Sequence, residues 1–255
     1  MGRRLGQHFL NRKSVLERIA AAACGDRTDL AVEIGPGKGA LTESLLERAD
    51  KVVAIEVDPI LVHYLQQKFR EAIDAGRLTL VEGDVLKTDL GDWGRCAIAG
   101  NLPYYITSPI LDKVFAAQGQ WDRAVFLVQE EVAKRLASPP GSRDYGYLSV
   151  ATQVRARVEM LFPVPKTAFR PVPKVDSAVV CLEPRSSEAD FGVLDVPAFL
   201  RFAGLCFRHK RKTLRNNLIG TYGKDQVDSS VVQGRRAEEM SVADLVKLQS
   251  TLVPT

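Results

Sequence analysis

Short apolar runs alternate with stretches of helical hydrophobic spacing over roughly the first 130 residues, the pattern of a parallel sheet covered on both faces. The runs predict strands over 30–34, 52–55, 78–81, 97–99 and 124–128, with helices over 40–49 and 59–75 between the first three. Pro59 suits the first turn of its helix and Gly76 the position just past its end. The segment PPGSRDYG, 139–146, interrupts the pattern, and 148–154 reads as helix. VEMLFPVP and AVVCLEP then read as two antiparallel edge strands joined by the proline-rich loop KTAFRPVPKVDS. After Pro184 the polar stretch RSSEAD marks a boundary. Beyond it, helices are predicted over 197–207 and 213–218, and again from Ser241, where Asp244 three residues on makes a capping-box-like start. The expectation is a doubly wound α/β domain over 1–184 and a small all-helical domain over 185–255.

Composition changes this picture little. With 45% hydrophobic and 26% charged residues the chain reads as a soluble globular protein, and no run approaches the roughly 18 apolar residues of a membrane span. Cys24, Cys96, Cys181 and Cys206 are far apart and lack ligand-spaced histidines, so neither a disulfide framework nor a metal is expected. They read as apolar residues in a reducing compartment, and a cytoplasmic location is expected. The N-terminal MGRRLGQHFLNRK has no continuous apolar stretch, and Gly6 stands where myristoylation needs Ser or Thr, so it reads as part of the working protein from about residue 7. The net charge of +4 is too small to argue for an anionic partner unless the charges cluster.

VEIGPGKGA, 32–40, follows the first strand and opens a helix. Glycines there let a ligand approach the backbone, and the helix N-terminus supplies free N–H groups. Gly35, Gly37 and Ala40 satisfy the dinucleotide fingerprint G-x-G-x-x-[GA], and Glu56 follows about 20 residues later, placed to accept from both hydroxyls of a ribose. A P-loop is excluded, because no Ser or Thr follows Lys38. Asp84, in EGDV just past the third strand, offers an acceptor for the exocyclic amine of adenine, although a Gly-Asp pair also suits a plain turn. This much fits a nicotinamide cofactor and S-adenosylmethionine equally.

Asn101-Leu102-Pro103-Tyr104, at the end of the fourth predicted strand, breaks the tie. The lone pair of a base amine is delocalised into the ring, so the nitrogen becomes a nucleophile only when acceptors hold its hydrogens. The Asn101 side-chain oxygen is one acceptor, and a carbonyl from the Leu102-Pro103 segment, held by the fixed φ of Pro103, is a second. Tyr104 offers a face on which an extruded base can stack, worth about 1–3 kcal/mol. A sulfonium methyl donor already carries a good leaving group, so orientation rather than a general base supplies the catalysis.

With these residues the chain resembles the ribosomal RNA adenine N6-dimethyltransferases, in particular the small-subunit type. The resemblance runs through GQHFL (6–10), EIGPGKGALT (33–42), GD (83–84), NLPYYI (101–106), YGYLSV (145–150), FRPVPKVDSAVV (169–180) and RKTLRNNL (211–218), in that order. It implies a Rossmann-like methyltransferase sheet that uses S-adenosylmethionine and leaves S-adenosylhomocysteine, without a metal. It further implies that His8 and Leu10 touch the cofactor, with Gly35 by its methionine part and Gly37 and Val85 also among the cofactor-binding residues. Glu56 is implied on the ribose, Asp84 on the adenine, and Asn101 at the reacting amine. Tyr104 and Phe169 would sandwich the target adenine. His8 stands where relatives often have Asn, so its contact is open between ring and backbone, and Tyr105 has no assigned role.

CFRHKRKTLR, 206–215, carries Arg208, Lys210, Arg211, Lys212 and Arg215 with no acid among them, a clustering that marks phosphate binding. A solvated basic helix face is the competing reading. Arg3, Arg4, Arg12 and Lys13 are further candidates for the same surface. The implied partner is small-subunit ribosomal RNA within a pre-assembled subunit, the protein acting as a monomer. The large-subunit methyltransferases of the antibiotic-resistance type, a nonenzymatic assembly or transcription factor and a nicotinamide oxidoreductase are the competing functions.

Overall fold

The computed structural model describes residues 8–230 and 234–252, so Arg3 and Arg4 lie outside the described residues. Its strands in chain order are β1 Phe9–Leu10, β2 Thr28–Ile34, β3 Ala49–Glu56, β4 Leu78–Glu82, β5 Cys96–Asn101, β6 Trp121–Gln129, β7 Ala156–Val164, β8 Phe169–Arg170 and β9 Ser177–Pro184. Seven of them form one sheet in the order β4-β3-β2-β5-β6-β9-β7, while β1 and β8 make a separate antiparallel ribbon. The pairs β2 with β3, β2 with β5, β3 with β4 and β5 with β6 are parallel, and β9 runs antiparallel to β6. Successive residues of a strand face opposite sides, and Ala97, Ile98 and Ala99 are all buried. Both faces are therefore covered, and the doubly wound, Rossmann-like sheet expected from the alternating pattern is what forms.

The predicted elements differ from the observed ones in three places. AVVCLEP is not an edge: β9 lies between β6 and β7, and its apolar run is continuous because both of its faces are buried. The expected helix over 59–75 is two, Pro59–Lys68 and Arg70–Asp74, because the chain unwinds at Phe69 (φ −110°, ψ 24°), whose ring turns inward beneath the glycine loop. The expected helix over 40–49 stops at Leu46, since Ala49 already begins β3. Helices Lys13–Cys24 and Thr107–Ala116 also flank the sheet; their apolar faces, Val15-Leu16-Ile19-Ala20-Ala23 and Ile110-Leu111-Val114, have the helical spacing that buries one stripe. Burial pushes the thiols of Cys24 and Cys181 up to about 11 and those of Cys96 and Cys206 up to about 12, leaving four inert apolar residues.

The described residues form two compact units. The first runs up to Ala133 and takes in Glu159–Pro184; the second is Lys134–Val158 with the residues from Arg185 onward. Lys134–Val158, placed in the first domain by the sequence reading, thus belongs with the second unit. The reason is packing: Tyr145, Val150 and Val154 share a core with Phe199, Phe202 and Leu245, and the Tyr145 hydroxyl donates to the Met240 carbonyl at 2.8 Å. Three helices of that unit start on side-chain caps, Asp195 for Val196–Cys206, Thr213 for Leu214–Tyr222 and Ser241 for Val242–Thr251, the last with Asp244 bonding back as expected.

Candidate active site

From β2 the sheet runs through β3 to β4 on one side and through β5 to β6 on the other. The strand order reverses between β2 and β5, and open α/β sheets bind ligands outside the carboxyl ends of their strands at such a point. A cavity of about 270 Å³ lies there. Its lining brings together His8, Leu10, Gly35, Gly37, Glu56, Asp84, Val85 and Asn101, with Leu102, Pro103 and Tyr104. These residues are scattered over nearly a hundred positions of the sequence; the ends of β2, β3, β4 and β5 gather all but His8 and Leu10, which come with the β1 segment.

The loop after β2 turns through Gly35, Gly37 and Gly39 with φ of +70°, +59° and +77°, a region that costs an L side chain about 1–2 kcal/mol. A Cβ on Gly35 would meet no atom within 4 Å, so the backbone there borders open space. A Cβ on Gly39 would press on Leu65 Cδ2 and Phe69 Cζ, each at 2.8 Å. Glu56, 4% exposed at the end of β3, binds this loop in place. Its Oε2 accepts from the Gly37 N–H at 3.0 Å, and its Oε1 from the N–H groups of Val57 and Asp58 at 2.9 and 3.0 Å. The carboxylate is fixed before any ligand arrives. Asp84 is held similarly, its Oδ1 accepting from the Leu86 N–H at 3.0 Å.

Glu33, the residue before Ile34 at the end of β2, was given no role by its place in VEIGPGKGA, yet it lines the cavity with 1% exposure. Burial pushes its carboxyl up to about 8; a hydrogen bond from Thr42 Oγ1 at 2.5 Å opposes the shift, the nearby Glu56 adds to it, and Lys68 opposes it. An acid two residues before a glycine loop carries no mark of burial, so only the fold could reveal it.

Gly100 explains how β5 ends. Its Cβ would stand 2.7 Å from the Ile34 carbonyl oxygen, so only glycine lets β5 pass β2 closely enough to deliver Asn101. Asn101 Nδ2 donates to the His8 carbonyl at 3.1 Å. A carbonyl can only accept, so this contact assigns the amide and leaves Oδ1 as the acceptor toward the cavity. Pro103 O accepts from the Ile106 N–H at 3.1 Å and from Thr107 Oγ1 at 3.3 Å, which makes Leu102 rather than Pro103 the source of a second carbonyl. The His8 ring makes two contacts: its Nδ1 is 2.8 Å from the Pro171 carbonyl and its ring stacks on Tyr104, 6.3 Å between centroids at 25°. Tyr105 lines the cavity with 64% of its surface exposed.

Phe169 is not brought to this site. It is fully buried, pairs in the ribbon with Leu10, and packs in the core with Val125, Leu127 and Val179. The expected sandwich of Tyr104 and Phe169 around a base therefore does not exist in this structure, because an aromatic ring following the apolar Ala168 is drawn into the core.

Of the cations of 206–215, only Arg215 lies on a helix, Leu214–Tyr222. Arg208, Lys210, Arg211 and Lys212 are exposed in the turns between Val196–Cys206 and Leu214–Tyr222. Buried Asn217 holds these turns, donating through Nδ2 to the carbonyls of Cys206 at 2.8 Å and His209 at 3.3 Å. Arg215 differs from the other four: both its Nε and Nη2 bond the Asp228 carboxylate, and the guanidinium holds that carboxyl below the usual range. Lys13 is exposed and pairs with Glu17 at 3.6 Å.

A doubly wound sheet with a glycine cradle at its reversal point and Asn-Leu-Pro-Tyr on the adjoining strand end defines a Rossmann-like methyltransferase. The solved structure of a dimethyladenosine transferase from Plasmodium falciparum is similar over 94% of this chain and 96% of that one, with a TM-score of 0.78 and 26% identity. That of the 23S rRNA methyltransferase ErmE is similar over 96% and 99%, with a TM-score of 0.74 and 28% identity. The chain belongs to the ribosomal RNA adenine dimethylase family, whose profile matches residues 2–253. Among its relatives, the ribosomal RNA small subunit methyltransferase A of Acidobacterium capsulatum is 42% identical over 98% of this chain and 90% of that protein. The protein of the same name from Desulfitobacterium hafniense is 44% identical over 93% and 87%. Among the described residues no group of three or more His, Cys, Asp or Glu is gathered as for a metal, and no helix is long and apolar enough to cross a membrane.

Proposed function

We propose that the protein transfers methyl groups from S-adenosylmethionine to N6 of two adjacent adenines near the 3′ end of small-subunit ribosomal RNA, two on each, during subunit maturation. The observation that carries this reading is Asn101, its Nδ2 committed to the His8 carbonyl and its Oδ1 left to accept at the mouth of a glycine-lined cavity. The residues present fit the cofactor. Gly35 borders open space, Glu56 and Asp84 are preset acceptors for a ribose and an adenine amine, and Leu10, Val85 and Leu102 supply apolar walls. When bound, S-adenosylmethionine supplies an electrophilic methyl group on a sulfonium, which leaves without proton transfer. Asn101 Oδ1 and the Leu102 carbonyl would accept hydrogen bonds from the N–H groups of the adenine amine, freeing its lone pair, while Tyr104 stacks on the base, and one N6 proton would pass to water for each methyl gained. Arg208, Lys210, Arg211 and Lys212 supply cations for the phosphate backbone.

The experiment is incubation with labelled S-adenosylmethionine and small subunits lacking these methyl groups, followed by mapping of the modified bases. Label on two adjacent small-subunit adenines is expected. Label in large-subunit RNA would instead assign the resistance-type activity, and no label would assign a binding role.

A further inference from the structure

The mechanism needs Tyr104 to present a ring at a set angle, yet Tyr104 sits on a short turn, Tyr104–Ile106, rather than on a strand. A tyrosine anchored only at its Cα swings about two side-chain torsions. The far end of this ring is held: Tyr104 Oη and Ser177 Oγ share a hydrogen bond of 2.8 Å. Ser177 is fully buried as the first residue of β9, where it pairs with Gln129 across from β6, so its hydroxyl is as rigid as the sheet. Burial raises the Tyr104 hydroxyl above its ordinary value, with the Ser177 contact opposing the shift, which keeps the phenol neutral at the bond.

We infer that Ser177 is a positioning residue for methyl transfer: through Tyr104 Oη it sets the plane of the ring on which the target base stacks. The His8 ring lies along one face of Tyr104, and the base takes the other. The bond also gives FRPVPKVDSAVV a use apart from Phe169, since it carries the serine that reaches back to Asn-Leu-Pro-Tyr. Misplacement of a reacting group by a fraction of an ångström is enough to slow an oriented reaction severalfold. This inference rests on the adenine N6 methylation proposed above.

The test is a double-mutant cycle on the single-turnover rate of transfer to small subunits lacking the methyl groups, with S-adenosylmethionine affinity and unfolding measured alongside. Tyr104→Phe keeps the ring and loses the bond; Ser177→Ala loses it from the other side. Each is expected to slow transfer about three- to ten-fold with donor affinity unchanged, and the double variant to be no slower than either single one. Rates that multiply in the double variant, or a Tyr104→Phe protein as fast as wild type, overturn the inference. Should Ser177→Ala not fold, Tyr104→Phe still decides: an unslowed rate refutes it, and a slowed rate restored by no change in donor concentration supports it. A wild-type protein that labels no small-subunit adenine removes the proposed function and this inference with it, whereas an active wild type beside an unaffected Tyr104→Phe removes this inference alone.

Discussion

Replacing Glu33 by Gln should make the ligand-free protein more stable as pH rises. Glu33 is 1% exposed, and burial lifts its carboxyl from the usual 4.5 to about 8. Below about pH 4.5 both folded and unfolded chains carry the proton, and the side chain costs nothing electrostatically. Between 4.5 and 8 the unfolded chain ionises while the folded one stays protonated. Stability is therefore lost through that window at about 1.4 kcal/mol per pH unit, and the loss levels off above the folded value. The full window corresponds to about 5 kcal/mol, of which about 3 kcal/mol is already lost at pH 7. Glutamine keeps an oxygen for Thr42 Oγ1 and has no charge to bury. Urea unfolding followed by tryptophan fluorescence reports the right unit, because both tryptophans, Trp93 and Trp121, lie in the first one. The expected result is near-coincident curves at about pH 4 and a growing advantage for Glu33→Gln up to about pH 8. A difference that stays constant with pH, or one that favours the wild type more as pH rises, would refute the reasoning.

Gly39→Ala combines a left-handed φ of +77° with a methyl forced onto Leu65 and Phe69, and should cost about 2–4 kcal/mol in a urea melt. Asn101→Ala should abolish transfer in the labelling assay while calorimetry still detects S-adenosylmethionine binding; loss of both together would deny the division of roles between Asn101 and Glu56. Lys210→Ala or Arg211→Ala should lower the dependence of log K on log salt for ribosomal RNA by about 0.7–0.9 each. Arg215→Ala should leave that slope nearly unchanged and lower the unfolding temperature instead, since its guanidinium is already engaged by Asp228.

Local sequence was enough for whatever depends on local rules. Alternating apolar runs announce a parallel sheet, because buried strands and amphipathic crossover helices have different periods. The glycine loop and Glu56 were legible for the same reason, since a left-handed turn and a strand-end acid leave a fixed spacing. The place of Asn101 was legible because it closes a short apolar run, and the structure has it at the end of β5 in the cavity lining. Only the tertiary structure decided the rest, because burial and pairing join residues far apart in the chain. It placed β9 inside the sheet, moved Lys134–Val158 into the helical unit, and withdrew Phe169 into the core. It also separated Arg215 from the four cations beside it through Asp228, thirteen residues away. The bond from Ser177 to Tyr104 spans 73 residues, and no local pattern could mark it, since a serine becomes a rigid anchor only when a sheet buries it.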